Sequence, residues 1–393
     1  MRENFEKSYD LVVIGGGVAG VAAALAAARR GRRVALVEKT VLWGGLATTG
    51  IIFIYLPLCD GNGTQVTFGI SEELLKAGMK YGPGDIPAGW KEGRNLPEEK
   101  RYRTVFSPAS MVLALDELLA ESGCDLWLDT LLVDAECRSG RVESVTVANK
   151  SGTGKLRAAA FVDASGDADL AFYAGASCPV AANALASWTL EYSEQGGGHL
   201  LAPTIRASIV GGSVDPDFTA PGVNGRMVSE FVMAGRAEYR RRLSEDYASG
   251  KSNRCTRFPL KVPAMADLRH TRRIDGEFTL QPGMEWQAFE DSIGVCADWR
   301  TTGKVWELPF RALLPKELEN VVAAGRCISS HGDAWEVTRV IPVAALTGEA
   351  AGITASLVAE RCCSAHELPV AEVQLAMKQA GNPVHISELY PGR

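Results

Sequence analysis

The sequence predicts an α/β fold, a parallel sheet flanked by helices and interrupted by an inserted α+β domain. Three observations predict it. The chain opens with strand, glycine turn, helix and strand in immediate succession. Its last part, from about residue 305, returns to buried-strand and Ala-rich-helix texture. Between them, about residues 181–304 lose the alternation and carry scattered Trp and Pro around a long basic helix.

Residues 9–14 (YDLVVI) are a short β-branched run ending in glycines, hence a buried strand. Residues 18–30 are Ala-rich with a basic end and stop at Gly31, as a helix does. Residues 33–38 (RVALVE) form a second buried strand. A strand–helix–strand unit of this kind demands a parallel pair joined by a crossover helix. Residues 57–104 read as loops around a helix near 71–80. Residues 107–122 read as a helix, with Ser107 as N-cap and Pro108 in the first turn. Residues 125–163 alternate through several strands, with turns at Ser139-Gly140 and Ser151-Gly152. The middle is expected to hold strands at 184–192 and 204–210 and a helix at 226–248. A buried strand returns at 320–325 (NVVAAG), and a helix runs from Pro342 to about 360. The expected organisation is therefore a discontinuous nucleotide-binding domain, 1–180 and 305–393, with a substrate or cap domain at 181–304.

Composition narrows the class. With 393 residues and 46% hydrophobic content the chain can bury a large core without a metal or disulfide staple. The net charge of −6 gives no reason to expect a nucleic-acid partner. The nine cysteines are irregularly spaced, no CxxC occurs, and five histidines show no zinc spacing. A reduced, cytoplasmic protein without a metal is expected. Residues 11–28 are uncharged over a length near that of a membrane span. Three consecutive glycines interrupt the run, and the preceding residues carry acids as well as bases. No membrane segment is expected there.

The glycines have their own chemistry. Gly15-Gly16-Gly17-Val18-Ala19-Gly20 is a GxGxxG that follows a strand and opens a helix. Gly15 permits the tight turn, Gly17 lets backbone approach a pyrophosphate, and Gly20 lets the helix pack on the sheet. The helix start supplies N–H groups and a positive dipole for phosphates. Glu38 ends the second strand, where a carboxylate accepts hydrogen bonds from a ribose diol. This is a Rossmann-like dinucleotide site.

Five segments resemble the FAD-dependent oxidoreductase family, within the superfamily of glutathione-reductase-type flavoproteins. They are DLVVIGGGVAGVAAALAAARRGRRVALVEK, the turn Gly44-Gly45-Leu46-Ala47-Thr48, VDASGDADLA at 162–171, ADLRHTRRIDGEFTL at 266–280, and LPFRALLPKELENVVAAGRCISS running into RVIPVAALTGEAAG. The resemblance implies a non-covalent FAD. It implies cofactor contacts from the glycine loop, Glu38 and Lys39, the turn 44–48, Leu132, and Ala164, Ser165, Gly166 and Asp167. The last segment, with Gly325, Arg326, Arg339, Val340, Ile341 and Val343, is expected beneath the flavin. A helix beginning near Pro342 would aim its N–H groups at charge developing on a reduced ring. No second GxGxxG follows a strand and no cysteine pair follows Gly44-Gly45, so neither a separate NAD(P)H domain nor a dithiol reductase is expected.

The resulting expectation is an enzyme that moves a hydride between a small-molecule substrate and flavin N5, in a direction the sequence does not set. The electron donor or acceptor and the oligomeric state are likewise not set. A nucleic-acid-modifying flavoprotein and a non-catalytic FAD-binding scaffold are the alternatives. His331, in the loop after strand 320–325, is the candidate acid/base or else a loop histidine. Arg269, Arg272 and Arg273, in a cluster with His270, are candidates for binding a substrate anion or else a solvated face. Trp335 and Glu336 are candidates for lining the substrate site, with Trp335 assigned to substrate. Cys327 reads as small and buried.

Overall fold

The computed structural model describes residues 5–85, 104–181, 183–184, 188–194, 206–207, 219–220 and 222–392. Strand β1 (Phe5–Ile14) has an exposed start and a buried end, Leu11–Ile14. Helix α1 (Val18–Arg29) crosses over to β2 (Val34–Val37), which lies parallel to β1 with Leu11 opposite Val34. Two helices follow, α2 (Gly69–Met79) and α3 (Pro108–Ser122). Helix α3 starts as its sequence dictates. The Ser107 side chain accepts from the Ser110 N–H, Pro108 occupies the first turn, and Gly123 ends the helix at a φ of 75°. Strand β3 (Asp125–Trp127) then joins the free side of β2, again parallel.

A meander follows. Strands β4 (Leu131–Arg138), β5 (Arg141–Asn149) and β6 (Gly152–Asp163) are antiparallel neighbours. Strand β6 runs parallel to β1 over nearly its whole length, from Gly154 opposite Phe5 to Asp163 opposite Ile14.

The chain then leaves this body through α4 (Asp169–Tyr173). Strand β7 (Leu190–Ser193), helix α5 (Gly225–Ala248) and strand β8 (Arg257–Lys261) belong to the described part of the middle region, as does the short pair Asn183–Ala184 and Thr219–Ala220. β7 and β8 are antiparallel, and a short strand at Arg206–Ala207 adds to β7. Helix α5 is fastened to this sheet by polar contacts: Tyr239 donates to Glu191, and Arg257 pairs with both Glu191 and Asp246. The expected strand at 184–192 is described in two pieces, with 185–187 outside the described residues. Of the expected strand at 204–210, only 206–207 is described.

Strands β9 (Ser292–Ala297) and β10 (Val305–Pro309) form one antiparallel hairpin. A division at residue 304 runs through that hairpin. Strand β11 (Val321–Ala323) then returns to the main sheet, parallel to β6, with Ala323 opposite Asp163. Helices α6 (Gly332–Thr338), α7 (Ile341–Arg361) and α8 (Val370–Gln379) follow, and a short helix at Ile386–Leu389 comes last among the described residues. Helix α7 is long and apolar enough to cross a membrane, but 89% of that stretch is buried inside the protein. It is a core helix, packed on α1, on the sheet and on β9, where Leu346 meets Gly294.

The crossing of α1 and α7 is backbone against backbone. A Cβ at Gly348 would stand 2.2 Å from the Ala19 carbonyl oxygen, and one at Gly352 would stand 2.3 Å from that of Ala23. No side chain fits at either distance, so the helices can meet only where glycine is present. Gly352→Ala is expected to push them apart and lower stability by about 1–3 kcal/mol. A denaturant midpoint that falls at constant m-value is the signature to look for, and an unchanged midpoint would contradict the packing described.

Candidate functional site

The register of the sheet builds the site. Ile14, Asp163 and Ala323 sit side by side, so β1, β6 and β11 end at one level. The next residue of each strand, Gly15, Ala164 and Ala324, lines a single cleft. This is the carboxyl edge of a parallel sheet, where such folds bind ligands. The turns are locked by backbone bonds: Gly15 N–H donates to Val37 O at 2.8 Å, and Ala164 N–H to Ile14 O at 2.9 Å.

The glycine loop divides by cause. Gly15 has a φ of 100°, and a Cβ there would stand 2.4 Å from Ala164 O. Gly20 would place one 1.7 Å from Gly15 O, which shows that α1 is pressed onto its own entry turn. Gly16 faces inward against Trp43 and Glu38. Gly17 differs: its φ of −66° suits any residue, and a Cβ would meet only Gly45 Cα, at 3.9 Å. It lines the cleft with Val18 and Ala19.

Two helices begin at this cleft, and neither has a side-chain cap. Gly17 precedes α1 and Val340 precedes α7, each without a side-chain hydrogen bond. First-turn N–H groups without such partners attract negative charge or acceptor oxygens. Ile341 and Ala344, from the first turn of α7, line the cleft together with Arg339. The Arg339 Nε is buried without a hydrogen-bond partner among the described residues. Its guanidinium pairs with Glu336, which also holds His270 at 3.1 Å.

Glu38 is buried, and both its oxygens are used. Oε2 accepts from the Gly16 N–H and Oε1 from the Thr40 N–H, each at 2.8 Å. The carboxylate ties the glycine loop to the end of β2 and still lines the cleft with Lys39. Each oxygen retains acceptor capacity for a further donor. Opposite, the turn Gly44–Ala47 contributes Gly44, Gly45, Leu46 and Ala47 to the wall, and Leu132 closes that end. Ser165, Gly166, Gly325 and Arg326 line the other side.

Six expected contacts lie behind the wall. Gly16 and Gly20 pack inward as described. The Thr48 hydroxyl donates to Trp43 O and holds the turn. Asp167 accepts from Thr271 and Arg326. Val340 and Val343 are buried side chains that do not reach the cleft.

The candidates for chemistry fare differently again. His331 is exposed and stands at the N-cap of α6, outside the cleft wall. Its backbone N–H donates to Leu280 O at 2.9 Å, beside the bridge between Leu280 and Ser330. Arg272 is paired with Asp169 and lies 4.1 Å over the Phe172 ring. Arg273 donates to Ile274 O and Ser329 Oγ. Both are engaged within the protein rather than aimed at the cleft. Trp335 is buried, with its indole N–H on Arg326 O at 2.7 Å and its ring beside His270. Burial, followed by repulsion from Arg339, lowers the Arg269 guanidinium to about 10. Cys327 is fully buried beside Asp163 O, and burial pushes its thiol well up, so it stays protonated.

Sequence reasoning missed several wall residues, Asp169 and Met265 among them. Asp169 lines the cleft, and burial raises its carboxyl to about 6, with help from Asp167 and Asp163. Met265 reaches the cleft from the middle region, and Ala344 from α7. Asp169 lies two residues beyond the recognised turn and inside the quoted segment 162–171, which is the signal that was available. Met265 has no sequence signal.

A family model described as FAD dependent oxidoreductase matches residues 10–194 and 217–377. A thioredoxin reductase from Ureaplasma parvum serovar 3 is 39% identical over 70 residues, 18% of this chain and 23% of that protein. The chain thus matches under a quarter of that relative's length. Among solved structures, p-nitrophenol 4-monooxygenase PnpA from Pseudomonas putida DLL-E4 is 14% identical at a TM-score of 0.47, covering 100% of this chain and 90% of its own. The aromatic hydroxylase CabE of angucycline biosynthesis is 12% identical at 0.46, covering 95% of this chain and 66% of its own.

The cleft sets its own test. Gly17→Val fills open space rather than protein, so the fold is expected to survive by circular dichroism while bound flavin absorbance is lost. Glu38→Ala is expected to weaken flavin retention by about 1–3 kcal/mol. Full retention in both variants would remove the cleft from consideration.

Proposed function

The chain belongs to the FAD dependent oxidoreductase family, and on that premise we propose that it moves a hydride between a small-molecule substrate and N5 of its cofactor, FAD. The observation that carries this reading is the meeting of two uncapped helix starts, Gly17 of α1 and Val340 of α7, at one cleft. One such start serves a pyrophosphate, as any dinucleotide site requires. The second favours negative charge at the far end of the cleft.

The residues present fit the cofactor. Gly17 leaves space that no described protein atom claims, Glu38 keeps acceptor capacity beside Lys39, and Arg339, whose Nε has no partner among the described residues, lines the cleft just before α7. FAD supplies a two-electron centre that accepts or gives up a hydride. The protein's own contributions are to bind the dinucleotide along the carboxyl edge of the sheet and to shield it with the segment around Met265. The division into a cofactor domain and a cap, with the substrate between them, belongs to the same reading. The hairpin 292–309 goes with the cofactor domain, because Gly294 packs on Leu346 of α7.

The defining experiment is anaerobic. The purified protein is mixed with a panel of alcohols, amines, acids and NAD(P)H, and the flavin absorbance is followed. Bleaching by one class of small molecule supports the reading, and no bleaching by any of them defeats it.

His331 supplies a control. His331 is exposed and does not line the cleft, which favours the loop-histidine reading over the acid/base one. His331→Asn is therefore expected to leave the rate of flavin reduction within about twofold of the parent. A loss of roughly 10²–10⁴ would mark it as the acid/base after all.

A further inference from the structure

Resting on the reading that the dinucleotide lies along this cleft, we propose that Asp169 recognises its base: the carboxylate accepts the exocyclic amino group of adenine, and so selects FAD over dinucleotides whose base presents a carbonyl there. The position follows from the order of groups in a dinucleotide. Gly17 marks the pyrophosphate and Glu38 the ribose, so the base lies beyond Glu38. Lys39 is the next residue, and backbone bonds fix what stands beside it. Thr130 N–H donates to Glu38 O at 3.0 Å, and Asp129 N–H donates to Thr40 O at 2.9 Å. Leu131 and Leu132 follow directly and line the cleft together with Lys39 and Asp169. Asp169 opens α4, which packs on β4, the strand that Leu131 and Leu132 begin. Lys39 is close enough to act on the Asp169 carboxyl.

Asp169 keeps one oxygen for a ligand. Its Oδ1 accepts from Arg272, whose guanidinium is itself held over the Phe172 ring and on Asp167 O. No donor reaches Oδ2 among the described residues, and the side chain is 28% exposed, so this oxygen is open to the cleft that Asp169 lines. The carboxylate is thus fixed in place by one oxygen and available through the other. Burial raises the carboxyl to about 6, with Asp167 and Asp163 adding to the rise and Lys39 and Arg272 opposing it. Most of it is ionised at neutral pH, and an ionised carboxylate only accepts.

One open acceptor decides among bases. Adenine offers it the amino group on C6, a donor. Hypoxanthine and guanine carry a carbonyl oxygen on the same carbon, which a carboxylate repels. Guanine can approach a carboxylate by its other edge, through N1–H and the 2-amino group together. That approach needs two open oxygens, and Arg272 occupies one of them. Leu132 offers apolar surface that suits the face of any base, so the choice rests on the edge. A site that hydrogen-bonds a ligand N–H rejects an analogue without it, because the buried partner is then left unpaired.

The test is a competition on the full chain, purified with its FAD. The holoenzyme is equilibrated near neutral pH with an excess of FAD and of its hypoxanthine and guanine counterparts in equal amounts. Unbound flavin is removed, and the bound pool is released by denaturation and counted by chromatography. FAD is expected to exceed each counterpart by about tenfold or more, the effect of one charge-assisted hydrogen bond. In Asp169→Asn the amide can accept from an amino group or donate to a carbonyl, so the three are expected within about threefold of one another. A variant that is only destabilised loses all three alike and keeps the parent's ratio, so the ratio separates recognition from structure. Arg272→Met frees Oδ1 and is expected to raise the guanine share about fivefold or more. Equal retention of the three by the parent, an excess of either counterpart, or the parent's ratio persisting in both variants would each overturn the assignment. Protein that holds FAD but takes the three alike loses only this role of Asp169, whereas protein that takes up no FAD loses the underlying reading.

Discussion

The rest of the structure depends on how closely α1 and α7 approach. They are separated by some three hundred residues of sequence, yet Gly348 and Gly352 lie directly against the carbonyls of Ala19 and Ala23. This contact brings the end of the chain back to its beginning. It also aligns the helices, so that both start at the carboxyl edge of the sheet. Gly325 completes the junction with a φ of 74° and a virtual Cβ only 2.9 Å from that of Ala19. The turn after β11 therefore lies flat against α1, with its N–H on Thr347 Oγ1 at 2.9 Å. Were the helices a side chain further apart, their starts would no longer border the same cleft.

A second constraint joins the middle region to this frame, and it is electrostatic. Arg326 leaves β11 and bonds to Gly166 O, to the Asp167 carboxylate and to Leu268 O. Its own carbonyl accepts from Trp335. One guanidinium thus fastens the turn after β6, the loop after β11 and the segment carrying Asp267 to Arg269. Removing a partner from such a buried network typically costs about 3–5 kcal/mol, because a charge is left without compensation. The neighbouring Arg272 repeats the device with Asp169 and the Asp167 carbonyl. The arginine-rich segment 269–273 therefore acts first as a fastening, and this explains why Arg272 and Arg273 do not face the cleft.

How much of this was legible in the sequence follows from the range of each interaction. The βαβ unit, the caps of α3 and the start of α7 are local, and the residues that set them are adjacent in the chain. The order of the strands was partly legible too, since β-branched runs and glycine turns mark them. The cleft was legible where one continuous motif supplies it, as at Gly15–Ala19 and Gly44–Ala47. It was not legible where burial decides. His331 lies in the loop after β11 as expected, but its side chain is exposed and outside the cleft wall. Arg272 looks like an anion binder until Asp169, a residue of another segment, is seen to occupy it. Met265 comes to the site only through the packing of the 263–267 loop, for which no periodicity speaks.

The glycine loop shows how structure can separate two demands that a motif merges. In sequence, Gly15, Gly17 and Gly20 are equivalent members of one pattern. In space, Gly15 and Gly20 are required by the protein itself, since a Cβ at either would strike carbonyl oxygen within 2.4 Å. Their presence would be explained in a molecule that bound nothing. Gly17 is not explained in this way: its backbone angles suit any residue, and a Cβ there would enter open space beside Gly45. A position where the protein tolerates a side chain, inside a motif that lacks one, implies that something other than the protein occupies that space. The uncapped N–H groups of the helix that begins beside it say what charge the occupant carries. The fold accounts for two of these glycines, and the dinucleotide accounts for the third.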